Sequence, residues 1–298
     1  MKTINDNQVI YQFSPKHHPV ATAQPGDTVV FITKDCFSNE IQTEADLFES
    51  VGWATINPAT GPVYIEGAES GDTLVVSIQD IQIADRGCMV TVPEMGAAGD
   101  IIKESRTKII PIENGEAVFN DKIRIPVDPM IGVIGTAPER EEIPCGTPHR
   151  HGGNMDTRLI RQGSTLYLPV FVEGALLAMG DLHAVMGDGE VSVTGLEIPG
   201  KVTVQVNLVK GKREPWPVLD TGQDWYVIAS AEDLDQAADQ ALKAMIDFLM
   251  QRTDLSLSDT VSLLSAAGKM EISQVVDPLK TIRMGISKSI MANYQLTF

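Results

Sequence analysis

Between Val20 and about Ile228 the apolar residues come in short runs, many of them β-branched, cut apart by Gly, Pro, Asn and Asp. The run Thr28-Val29-Val30-Phe31-Ile32-Thr33 follows Pro25-Gly26-Asp27, and Thr73-Leu74-Val75-Val76-Ser77-Ile78 follows Ser70-Gly71-Asp72. Comparable runs stand at Lys108 to Pro111, Lys122 to Val127, Val191 to Leu196 and Val202 to Val209. Short runs punctuated in this way predict strands packed as a β-sandwich or barrel rather than as βαβ units. After Ser230 the period changes. Ser230, with Asp233 three residues on, resembles a helix start. Leu234, Ala237, Ala238, Ala241, Leu242, Met245, Phe248 and Leu249 then recur at helical spacing. A second helix is predicted from near Ser258 to Gly268. The expected fold class is α+β, mainly β, with sandwich- or barrel-like strands and a small C-terminal helical subdomain. Residues 1–228 are expected to form the β-rich main body, as one unit or as two intertwined β subdomains. Residues 229–298 form an α/β packing subdomain.

The two openings make a weak internal repeat, Ala23 to Val30 against Ala68 to Val75, displaced by 45 positions. Its physical content is a Gly-Asp turn that delivers the chain into a buried strand.

With 43% hydrophobic and 21% charged residues the 298-residue chain has a globular composition and can bury a large core. The formal net charge of −17, with Lys and Arg scattered, disfavours nucleic acid and anionic membrane surfaces as partners. The N-terminal residues Met1 to Asn7 carry no apolar signal core, and no uncharged apolar stretch of about 18 residues occurs, so no membrane span is expected. Three cysteines, Cys36, Cys88 and Cys145, are too few for a disulfide framework and read as reduced thiols in a cytoplasmic protein.

Candidate chemistry gathers in two stretches. The first is Cys145-Gly146-Thr147-Pro148-His149-Arg150-His151-Gly152-Gly153-Asn154-Met155-Asp156. His149 and His151 leave the same face of an extended segment, although a turn or surface role is the plainer reading of His149. The second is Gly180-Asp181-Leu182-His183-Ala184-Val185-Met186-Gly187-Asp188-Gly189-Glu190, with Glu197 at the end of the next predicted strand. Asp181 shares a face with His183, and Asp188 with Glu190, if these segments are extended. Carboxylates this dense beside a histidine repel one another unless a cation lies between them, and a divalent metal is the natural candidate. Asp188 has a second reading, as the hairpin residue before Gly189. His17 and His18, beside Pro19, read as loop residues. No Gly-x-Ser-x-Gly elbow, phosphate-cradling loop or dinucleotide fingerprint occurs. A Cys36 or Cys145 nucleophile is conceivable, but buried Cys is more often a small hydrophobe.

These stretches resemble the acetamidase/formamidase family. The resemblance is carried by Asp35-Cys36-Phe37-Ser38, Asn57 to Ala68, Gly71-Asp72-Thr73-Leu74, His151 to Asp156, Gly180 to His183, Gly187 to Glu190, and Glu197, in that order. Met186 stands where the family pattern has glutamine. The resemblance implies a β-rich, usually oligomeric amidohydrolase of short amides such as formamide or acetamide; a homodimer is expected. In the mechanism expected on this basis, a divalent ion, zinc by preference and calcium or another ion otherwise, is held by Asp156 and His183 with Glu197 or Asp181. Glu190 or Asp188 carries the proton, and Asn154 or backbone N–H groups at Gly152-Gly153 stabilise the oxyanion. His151, Gly153 and Asn57 contact substrate. Two alternatives stand beside this: a non-catalytic small-molecule or metal-binding β-sandwich, and a lyase or condensing enzyme on the same scaffold.

Overall fold

The computed structural model describes residues 2–294, 296 and 297 and builds the chain on two main sheets that share one apolar core. The larger sheet has nine strands. In spatial order they are Lys2–Ile4, Thr28–Thr33, Gly200–Val209, Thr73–Ile83, Thr165–Pro169, Val218–Asp220, Asp224–Ala231, Lys280–Ser287 and Lys269–Gln274. The smaller sheet runs Gly152–Asn154, Met130–Gly135, Leu177–His183, Ala59–Ile65, Val9–Ile10. Period-two alternation explains the packing of the central strand Gly200–Val209. Val202, Val204 and Val206 are buried while Thr203 and Gln205 between them are partly exposed. Their partners across the core include Ile131, Ile134, Leu177, Met179 and Leu182 of the smaller sheet.

Both Gly-Asp openings serve the same strand. Gly26 (φ +93°) and Gly71 (φ +102°) turn the chain, and Asp27 and Asp72 each accept the N–H of the residue three before, at 2.9 and 2.8 Å. The strands they open, Thr28–Thr33 and Thr73–Ile83, pair with opposite edges of Gly200–Val209.

The helix Leu234–Met250 lays Ala237, Ala241, Met245 and Phe248 on Val227, Ala229, Ile282 and Met284 of the nine-stranded sheet. The second helix, Leu257–Ala267, follows the Ser256 cap and stops at Gly268. That sheet runs unbroken from N-terminal strands into C-terminal ones, so both ends of the sequence share one hydrogen-bonded layer.

Two local expectations are corrected. Ser230 lies inside the strand Asp224–Ala231, and Asp233 caps the helix, its side chain accepting the Gln236 N–H at 2.8 Å. Asp233→Ala is therefore expected to lower stability by about 1 kcal/mol, measured by denaturant unfolding, while Ser230→Ala leaves the helix start intact. Residues Val191 to Leu196 form no strand but a turn-rich loop. Their alternation is real, yet Val193 sits at φ +107° and Gly195 lies against the His183 ring, so the segment wraps the neighbouring strand instead of extending it.

Candidate active site

The strand Leu177–His183 is buried along its whole length, and its last residues bring polar groups into that interior. His183 Nε2 stands 3.1 Å from Glu197 Oε1, 3.6 Å from Asp181 Oδ1, 3.8 Å from Asp156 Oδ1 and 3.9 Å from Glu190 Oε1. One imidazole thus faces four carboxylates, all of them sealed from solvent. Asp156 follows the edge strand Gly152–Asn154, Asp181 and His183 come from the central strand, Glu190 from the loop after it, and Glu197 from a single bridge position paired with both Cys88 and His183.

Local backbone geometry is spent on this convergence. Asn57, Asp156, Asp181 and Glu190 have φ of +54°, +40°, +55° and +47°. Side chains in the left-handed region cost on the order of 1 kcal/mol or more each, and such strain collects at functional sites. Gly132, on the strand opposite Asp181, supplies room: a Cβ there would lie 2.5 Å from Asp156 Oδ1 and 2.7 Å from Asp181 Oδ2. At Gly195 a Cβ would overlap the His183 ring.

The electrostatics follow from crowding without water. Burial raises Asp156 to about 6 and Glu197 to about 8, with the Asp181 carboxylate adding to both. Burial and then the Asp156 carboxylate raise Glu190 well above the ordinary range. For His183 burial alone would favour the neutral ring, but Glu197 and Asp181 outweigh it and hold the imidazolium well above its usual range.

Among the described residues no Lys or Arg forms an ion pair with Asp156, Asp181, Glu190 or Glu197. Asp156 Oδ1, Asp181 Oδ1, Glu190 Oε2, Glu197 Oε2 and His183 Nε2 are buried without a hydrogen-bond partner. Leaving such atoms unpaired is costly, and a cation satisfies several at once. Two triads have ligand atoms within 4.8 Å of one another: Asp156, His183 and Glu190, and Cys36, Asp181 and Glu197. Carboxylate oxygen with one imidazole suits a divalent cation of the zinc type better than calcium, which takes oxygen alone.

Other predicted site residues are placed differently. Asp188 is outside the cluster; its Oδ1 accepts from Arg158 Nε at 3.1 Å and Arg283 Nη2 at 2.9 Å. Asn57 is inside, its Nδ2 donating to Asp181 Oδ2 at a long 3.5 Å. Asn154 is buried with Oδ1 unpaired. His151 packs edge-on against Phe13 beside Gly153, and no hydrogen bond or ion pair joins it to the carboxylates among the described residues. Burial lowers it to about 3, so it is a neutral ring. His149 is partly buried against Trp216.

Of two further members, the sequence marks one, Cys36, only as a conceivable nucleophile and misses the other. Cys36 reaches Asp181 and Glu197 from a turn pinned by Asp35, whose Oδ1 accepts the N–H of Phe37 and Asn39 at 3.0 and 2.7 Å. Asp277, from the C-terminal hairpin loop, reaches Asp156 and Asn154. No motif marks Asp277 as a site residue, whereas Asp35-Cys36 lies in a passage carrying the family resemblance.

The sequence pattern of the acetamidase/formamidase family matches residues 2–144 and 143–292. This chain belongs to that family. An acetamidase of known structure from Bacillus halodurans is 47% identical, with a TM-score of 0.96 over 98% of this chain and 99% of that one. A predicted acetamidase/formamidase from Thermoanaerobacter tengcongensis is 45% identical, with a TM-score of 0.97 over 100% and 99%. A formamidase of Methylophilus methylotrophus is 25% identical across 79% of this chain and 74% of its own length. The chain spans 60 to 74% of the length of the curated relatives it matches. These family likenesses bear out the α+β, mainly β expectation; no helix among the described residues is long and apolar enough to cross a membrane.

Proposed function

We propose that this protein hydrolyses a short amide of the formamide or acetamide type to a carboxylate and ammonia. The observation that carries the reading is a single buried imidazole faced by four carboxylates, in a chain of this family. Asp156, His183 and Glu190 would hold a divalent cation, zinc by preference. When bound, the cation supplies Lewis acidity that makes water a nucleophile near neutral pH. Glu197, buried 3.1 Å from the His183 ring and ionised more readily once a cation is bound beside it, is suited to take the proton from the attacking water and deliver it to the departing nitrogen. Asn57 Nδ2, weakly engaged by Asp181, is free to donate to the carbonyl oxygen as charge builds there. Water adds O–H across the C–N bond, leaving the acid and ammonia. A cytoplasmic homodimer belongs to the same proposal, and light scattering on the purified protein tests its subunit count.

Ammonia release from formamide, acetamide and propionamide, with elemental analysis of the same preparation, tests the activity. Turnover with about one divalent ion per chain is expected; no ammonia from any short amide would return the protein to the binding-module reading.

Two substitutions sharpen the assignment. Gly132→Ala pushes Asp156 and Asp181 apart and is expected to cut turnover about a hundredfold, as misplacement of reacting groups by about 1 Å does. Cys36→Ala and Cys145→Ala, made separately, are expected to keep turnover within about tenfold, since burial holds both thiols far up and disfavours the thiolate. A drop of several orders of magnitude in either folded variant would point to thiol chemistry instead.

A further inference from the structure

A four-stranded sheet stands beside the two main ones. Its strands, in spatial order, are Ile123–Pro126, Glu116–Asn120, Arg106–Glu113 and Arg86–Thr91. The antiparallel register sets Ala117 opposite both Ile125 and Ile112, and residues directly opposite share a face. Ile110, two positions from Ile112 on the same strand, lies on that face as well. Ile110, Ala117 and Ile125 form one wall of a cavity of about 260 Å³. The other wall is the loop that follows the strand Leu177–His183, through Met186 and Leu196. Gly187, Asp188 and Val191 are exposed and mark the mouth. Glu190 and Gly195 are buried and mark the inner end, where the cavity meets the candidate active site. A Cβ at Gly195 would lie 2.4 Å from His183 Nδ1, so a bare backbone is all that parts the cavity from that ring.

Cavity and cluster differ in chemistry. Four carboxylates around an imidazole are a poor setting for an alkyl group, whereas the cavity walls are mainly aliphatic. Apolar surface left open to water is unfavourable, and apolar pockets that converge on a few polar groups are where small molecules bind. A water-sized group takes about 30 Å³, so the cavity has room for roughly eight, and the methyl of acetamide would fill only one of those places. We propose that this cavity is the acyl subsite, taking an unbranched alkyl tail of about five carbons on a primary amide whose carbonyl lies beside Glu190. This rests on the amide-hydrolysis reading and extends it from acetamide to longer straight-chain amides. Ala117, buried in the wall, keeps the space open, and a larger side chain there would fill it.

The experiment measures kcat/KM for acetamide, butyramide and hexanamide on the wild-type protein, Ala117→Phe and Ile125→Gln, with metal content and melting temperature on each preparation. In the wild type kcat/KM is expected to rise about fourfold per methylene, and at least about a hundredfold from acetamide to hexanamide, as burial of an alkyl chain gives. The gain should fall mainly in KM, because the tail is held alike in substrate and transition state. Ala117→Phe occupies the space and Ile125→Gln sets a polar group in the wall, so each should cut the hexanamide preference below about tenfold with metal content retained. A wild-type kcat/KM that is flat or falls with chain length overturns the proposal, and so does an unchanged preference in either folded variant. Ile125 is only partly buried, so its variant decides the matter if Ala117→Phe does not fold. Release of no ammonia from any of the three amides defeats the hydrolase reading alone. Calorimetric binding to the wild type then decides the subsite: hexanamide held about a hundredfold more tightly than acetamide upholds it, and equal binding overturns it.

Discussion

His183→Ala is expected to abolish both ammonia release and the retention of divalent metal, with the folded content preserved. The ring nitrogen Nε2 lies 3.1 to 3.9 Å from carboxylate oxygens of Asp156, Asp181, Glu190 and Glu197, and the ring is wholly buried between them. Without it a cation loses its imidazole ligand and is left to carboxylate oxygen alone. The expected fall in turnover is at least about a thousandfold, on the scale seen when a member of a catalytic unit is removed. A histidine serving only the core would behave otherwise. Its removal would lower stability by about 1–3 kcal/mol through an unpaired partner and leave metal and turnover measurable. Metal content, melting temperature and ammonia release on one preparation separate the two, and retained metal with retained turnover would move the site elsewhere.

Metal-stripped protein is expected to lose stability as pH rises from about 5 to about 8, and added divalent cation to reverse the loss. In the fold Asp156 moves from 3.8 to about 6 and Glu197 from 4.5 to about 8, burial being the larger cause in each, while burial also raises Glu190 well above its ordinary value and His183 lies above its own. All of these groups bind protons more tightly folded than unfolded. Their contribution is therefore fully present below the unfolded values and is lost as pH climbs through the folded ones, first for Asp156 and then for Glu197. The summed effect is on the order of a few kcal/mol. A bound cation favours the ionised carboxylates, so its affinity rises over the same window. Thermal melts at fixed ionic strength, with and without cation, check this; a metal-free melting temperature that is flat or rising across the window would count against the buried carboxylate cluster.

Much was legible because it is local. Period-two valines from Val202 to Val206, the Gly-Asp turns and the apolar face from Leu234 to Leu249 depend on neighbours a few positions away, so strands, helices and their stops could be read directly. Asp156, Asp181, His183, Glu190 and Glu197 could be singled out because acidic residues crowd a histidine within two stretches of sequence. Only the tertiary structure decided which of them meet. It turned Asp188 outward to Arg158 and Arg283, although Asp188 lies two positions from Glu190, because the left-handed φ at Glu190 ends any simple extended alternation. It made a wrap of Val191 to Leu196, whose alternation reads as a strand, because Gly195 must lie against His183. It brought in Asp277 from a segment with no ligand pattern, across hydrogen bonds to Gly189 and Thr157 that join residues far apart in the chain. It also determined the proton affinities, since a carboxyl near 8 is a property of burial and neighbouring charge, and neither is a property of the residue alone.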